Sequence, residues 1–150
     1  MGTRTKTCLV GLAAGIAMAC GSSSSAPAVS QPGFFITISG MSFSPLDLHA
    51  PAGAIVTVVN EDGIDHSVTS EASANAFTPG SVGGVAFDTG AFTGSRSFTL
   101  PANAPNGTAI PYYCTVHKAI MATPNGTLTV DSSAQPTQPP GGGGGGGGGY

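Results

Sequence analysis

The chain has 150 residues, only 7% of them charged, and four Lys and Arg against seven Asp and Glu give a net charge of −3. A middle rich in Val, Thr, Phe and Ile, punctuated by Gly and Pro and without Trp, excludes a coiled coil, a helical bundle and a multidomain enzyme. So few basic residues exclude a nucleic-acid binder.

Residues 1–19 read as an export signal: Arg4 and Lys6 precede an apolar run from Cys8 to Ala19 that is too short to stay in a bilayer as a spanning helix. The run ends in Ala17-Met18-Ala19-Cys20. This resembles the lipobox of bacterial lipoproteins and implies cleavage before Cys20 and lipid on its thiol, although Ala17 stands where that motif usually has Leu. An ordinary signal with small residues at the cleavage site is the alternative. Both place the domain outside the cytoplasm, in the periplasm or cell envelope. Residues 20–32, rich in Ser, Ala and Pro, form a tether. Without the signal the chain keeps two bases against seven acids, a net charge of −5.

Residues 33–131 are the expected domain. Phe34, Ile36 and Ile38 alternate with Phe35, Thr37 and Ser39 up to Gly40, which predicts a first strand over 34–39. Further strands are expected at Leu46 to His49, Ala54 to Asn60, His66 to Ser70, Ser95 to Leu100, Ile110 to Cys114 and Thr127 to Val130. Pro51-Ala52-Gly53 and Pro124-Asn125-Gly126 supply turns. About seven or eight short strands divided by turn signals predict an all-β, antiparallel sandwich. The stretch from Glu71 to Val85 reads as a long surface loop. Residues 132–150, Pro-rich and ending in nine glycines before Tyr150, cannot pack a core and are expected to be a disordered tail.

Cysteine usage carries the first chemical signal. Cys8 falls in the signal and Cys20 at its end, which leaves Cys114 as the lone thiol of the domain. In an oxidising compartment such a thiol is an inert core residue, half of an intermolecular disulfide, or a metal ligand. Its surroundings favour the last. Tyr112-Tyr113-Cys114-Thr115-Val116-His117-Lys118-Ala119-Ile120-Met121 puts a thiolate, an imidazole and a thioether at the end of a strand and in the loop after it, a soft donor set that selects copper. A third equatorial donor comes from His49 or His66. His66 follows a strand and the polar turn Glu61-Asp62-Gly63-Ile64-Asp65, where a sheet can hold it, whereas His49 has no partner motif. The competing readings are a turn-capping loop histidine for His66 and a packing thioether for Met121. Met41 reads as a core residue.

From Phe34 to Val130 the chain resembles the cupredoxins, small blue copper proteins of the plastocyanin, amicyanin and pseudoazurin type. The resemblance rests on Val59-Asn60-Glu61-Asp62 with His66-Ser67-Val68, on Phe87-Asp88-Thr89-Gly90, and on Tyr112 to His117 with Met121 and Gly126-Thr127-Leu128-Thr129-Val130. It implies a Greek-key sandwich holding one copper ion, with His66, Cys114 and His117 as trigonal ligands and Met121 as the long axial one. It also implies that Asn60 ties the two ligand loops together and that a backbone N–H near Ser67 donates to the thiolate. Three residues separate His117 from Met121, between the longer plastocyanin-like and the shorter amicyanin-like spacing. A backbone carbonyl near Asp65 or a water is the alternative on the axial side.

The function implied is one-electron transfer between protein partners that dock transiently on an apolar surface around His117, by a monomer whose membrane contact is the lipid on Cys20. Catalysis by the chain alone is not expected, since only His49 remains for a second centre and no triad or phosphate loop occurs. Two other readings use the same residues: copper storage or delivery at the envelope, and an adhesive sandwich with a vestigial site.

Overall fold

A computed structural model describes residues 31–141. The expected signal, Cys20 and all but the end of the tether lie outside the described residues, as does the tail beyond 141. Eight strands form: β1 (Phe34–Ser39), β2 (Ser42–Ser44), β3 (Asp47–Ala50), β4 (Ile55–Asn60), β5 (Thr69–Ser70), β6 (Gly94–Thr99), β7 (Ala109–Tyr113) and β8 (Asn125–Val130). They make two four-stranded sheets, ordered β2-β1-β4-β6 and β3-β8-β7-β5.

The all-β sandwich of seven or eight strands is as expected, and its two sheets are mixed rather than antiparallel throughout. β1 runs parallel to β4, and β3 parallel to β8; the other pairs are antiparallel. After β2 the chain leaves the first sheet, lays β3 on the edge of the second, and returns as β4 beside β1. This excursion through the second sheet is the kind of crossover connection that a parallel pair requires, since a tight hairpin joins only antiparallel neighbours.

Alternation drives the packing. Ile36 and Ile38 of β1 and Val56 and Val58 of β4 turn inward from one sheet, and Leu48, Ile110, Tyr112, Leu128 and Val130 from the other, all within one buried apolar cluster. The edge strand β6 is largely exposed and carries Arg96, a charge that discourages edge-to-edge pairing.

Three local features depart from expectation. The strand β2 is additional: Gly40 and Met41, at φ 58° and 62°, make a tight hairpin that sets Ser39 opposite Ser42. Glu71 is fully buried rather than on a loop surface. Its carboxylate accepts from the N–H groups of Asn75 and Phe77, at 3.1 and 2.7 Å, and from the Asn125 side chain at the head of β8. Order also continues past 131. Gly33 and Thr137 exchange backbone hydrogen bonds of 2.8 and 2.7 Å, and Ser132 N–H donates to Asn106 Oδ1 at 2.7 Å. The disorder expected from residue 132 therefore does not begin there, because this segment finds partners on the domain for its backbone groups.

Among the described residues no helix is long and apolar enough to cross a membrane. His49 is half-exposed and lies between Asp47 and Asp131, at 3.3 and 3.0 Å, and its hydrogen bond with Asp131 raises its pKa above the ordinary histidine value.

Candidate metal centre

His66, Cys114 and His117 come together at one end of the sandwich. Each is placed by a different device. His66 follows the loop after β4, and its backbone exchanges hydrogen bonds with Phe92, 3.1 and 2.9 Å. Cys114 follows directly on β7, the strand paired on both sides in the second sheet. His117 caps the 3-10 turn Lys118–Ile120, and Lys118 N–H donates to the Cys114 carbonyl at 2.8 Å, so the chain doubles back on the thiol.

The Nδ1 atoms of His66 and His117 each lie 3.7 Å from Cys114 Sγ and 3.3 Å from one another. The point equidistant from these three corners is about 2.1 Å from each, within the span of roughly 2.0–2.3 Å that metal–imidazole and metal–thiolate bonds occupy. The donors fit a metal ion without rearrangement. Cys114 and His66 are fully buried, whereas His117 is half-buried.

The electrostatics suit ligation. Burial, with His117 close by, pulls the His66 pKa below the ordinary histidine value, against the opposing influence of Asp62 and Asp65. A neutral imidazole is the form that binds metal. Asp62 in turn is held below the usual carboxylate range by the N–H of Met41, reinforced by that of Gly40.

The thiol has a donor of its own, since Ser67 N–H points at Cys114 Sγ from 3.4 Å. Asn60 plays a different part from the one the resemblance implied. Its amide donates to the carbonyls of Ile64 and Phe92, at 2.9 and 2.8 Å, and its Oδ1 accepts from Asp62 N–H at 3.0 Å. It therefore closes the His66 loop against the segment before β6. The link between the two ligand loops falls to Ser67, whose Oγ accepts from Thr115 N–H at 2.8 Å and lies 2.9 Å from the Thr115 hydroxyl. Both are the residues next after a candidate ligand, the one sequence signal that could have marked them.

Ser67→Ala is expected to strand the Thr115 N–H between the loops and to cost about 1–3 kcal/mol, read from urea unfolding. A loss below about 0.5 kcal/mol would mean that water replaces the hydroxyl.

Met121 is buried in the same apolar cluster as Cys114, and its N–H donates to the Lys118 carbonyl at 3.3 Å as the 3-10 turn ends. Met41 packs against that cluster from a half-buried position, and its carbonyl accepts from Ala122 N–H at 2.8 Å.

No family model matches the chain, and no curated protein matches it. Among solved structures the chain is similar to cupredoxins. An oxidized amicyanin mutant is 22% identical with a TM-score of 0.47, over 66% of this chain and 82% of that one. A reduced Cu(I) form of an amicyanin mutant at pH 4 is 21% identical with a TM-score of 0.49, over 69% and 87%. A purple cupredoxin from Nitrosopumilus maritimus is 24% identical with a TM-score of 0.45, over 65% and 98%.

Proposed function

We propose that the protein is a type 1 copper electron carrier of the cupredoxin kind, with His66, Cys114 and His117 as equatorial ligands and Met121 as the axial one. The observation that carries this reading is the triangle of two imidazole nitrogens and one buried sulfur, sized for a single ion. A trigonal two-nitrogen, one-sulfur donor set with a thioether nearby is the pattern of blue copper sites. Copper, when bound, supplies the Cu(II)/Cu(I) couple.

The chain's own residues do the rest. The sheets and the Ser67 to Thr115 bridge hold the donors in place, so little moves when the charge changes. Burial of Cys114 keeps water from the sulfur, and the half-buried His117 is the donor nearest the surface. Val116, Ile120 and Ile64, all exposed, belong to the two ligand loops and offer apolar contact to a redox partner; encounters of this kind bury little area and are brief. Enzyme activity is not part of the proposal. We assign residues 1–19 to an export signal and Cys20 to lipid attachment, with the domain in the periplasm or envelope. Phe34 and Val56 lie at the end of their parallel strands opposite Asn60, so the chain enters the domain at Gly33 on the end away from the candidate metal site.

Titration of the full chain with Cu(II), followed by visible absorption and electron paramagnetic resonance, tests the reading. An intense thiolate-to-copper band with narrow copper hyperfine splitting, saturating at one equivalent, is expected. Weak, pale binding would favour copper handling at the envelope instead. Met121→Leu is expected to retain the band and raise the reduction potential, since a weak donor to Cu(II) is lost; an unchanged potential would remove Met121 from the ligand set.

A further inference from the structure

The outer side of His66 is as closely built as its inner side. Nδ1 faces Cys114 and His117, while Nε2 lies 3.1 Å from Oδ2 of Asp62. The ring is fully buried, and among the described residues Nε2 has no other polar partner than this carboxylate. Asp62 itself is fixed. Its Oδ1 accepts from Gly40 N–H at 2.7 Å and its Oδ2 from Met41 N–H at 2.9 Å, and its side chain is only 17% exposed.

An imidazole that gives Nδ1 to a metal carries its proton on Nε2. Inside a protein that proton needs an acceptor, and the carboxylate 3.1 Å away is Asp62. Ligating histidines are commonly oriented in this way by a carboxylate or carbonyl behind them.

We propose that Asp62 is a positioning residue of the metal centre: it accepts the Nε2 proton of His66, fixes that tautomer, and so aims Nδ1 at Cys114 and His117. The proposal rests on the copper reading of that cluster. The charge has a second consequence, because a carboxylate behind the ring strengthens Nδ1 as a donor and favours the more positive Cu(II) over Cu(I). Asp62 also reaches further than His66. The Gly40–Met41 turn that grips its carboxylate receives Ala122 N–H on the Met41 carbonyl at 2.8 Å. One hairpin therefore connects the back of His66 with the end of the loop that carries Cys114, His117 and Met121, and it explains why Met41 is kept at a φ of 62° where a non-glycine residue is strained.

The test compares the full chain with Asp62→Ala and Asp62→Asn, the second of which keeps an acceptor oxygen for the turn while losing the charge. In the metal-free proteins, 15N shifts of the His66 ring report the tautomer. The unaltered protein is expected to hold the Nε2–H form and Asp62→Ala a mixture. With copper, Asp62→Ala is expected to weaken Cu(II) binding roughly 10–100-fold, and Asp62→Asn to raise the reduction potential with the visible band retained. An identical tautomer in all three proteins, or unchanged copper affinity and potential in both variants, would overturn the proposal. If the unaltered protein shows no thiolate band yet the tautomer still follows Asp62, the positioning role stands and the copper reading falls.

Discussion

Cys114→Ser is expected to abolish the visible absorption of the copper-loaded protein and to weaken copper binding by more than the roughly 10–100-fold typical of losing an outer-sphere partner. The band requires a thiolate sulfur as the electron-rich donor, and a serine hydroxyl neither ionises near neutral pH nor offers a soft atom to Cu(I). Burial sharpens the effect. Cys114 is fully buried, and Ser67 N–H at 3.4 Å is placed for a large sulfur, so the shorter oxygen cannot fill its place in the triangle. The fold is expected to survive, because Ser67 Oγ still bridges to Thr115. Visible absorption, isothermal titration with Cu(II) and circular dichroism together check the three statements. A variant that keeps the band would place another residue at the sulfur corner and remove the basis of the electron-transfer reading.

The donors were differently legible in the sequence. Cys114 and His117 stand close together after a strand, and the structure turns the chain there so that both side chains face one point. His66 had to be chosen from two histidines by its position after a strand and a polar turn; the structure sets it 3.7 Å from the thiol and leaves His49 on β3 with Asp47 and Asp131. The supporting shell was far less visible. Ser67, Thr115 and Asp62 are residue types that usually face water, and nothing in a local pattern separates a serine that bridges two loops from one that does not. Glu71 is the extreme case. It opens a stretch of Ala, Ser and Gly that reads as surface, yet its partners Phe77 and Asn125 bury it completely.

The strands show the same division. β1 falls on the expected residues because alternation ends cleanly at Gly40, and β4 begins one residue later than expected. Only Thr69 and Ser70 of the expected fourth strand join a ladder; His66 pairs singly with Phe92 instead, in a loop rather than a strand. β2 is three residues long and ends before Pro45, too short for alternation to register. The parallel pairing of β1 with β4 and of β3 with β8 joins residues far apart in sequence, and the side-chain period of two is the same for parallel and antiparallel neighbours. Direction is therefore a property of the chain path between sheets, which local pattern does not encode. The bridge from Gly33 to Thr137 spans the whole domain and was hidden for the same reason.

Gly126→Ala is expected to destabilise the protein by about 3 kcal/mol, at the upper end of overpacking costs, lowering Tm by roughly 10–20 °C. Gly126 lies opposite Tyr112 across the β7–β8 pair, and a Cβ there would overlap the Tyr112 ring and hydroxyl. The ring cannot step aside. It is fully buried, meets Phe43 edge-on at 5.1 Å, and its hydroxyl donates to the Pro45 carbonyl at 3.4 Å. Tyr112 thus covers the bare strand position, supplying the packing that glycine lacks. A second background isolates the cause. Tyr112→Ala alone is expected to cost about 3–5 kcal/mol as a large buried ring is lost. With that ring gone, adding Gly126→Ala should cost less than about 1 kcal/mol or even stabilise, since alanine restricts the unfolded chain more than glycine does. Urea unfolding of the four proteins closes the cycle. If Gly126→Ala costs the same with and without the tyrosine, the ring is not what excludes a side chain at this position.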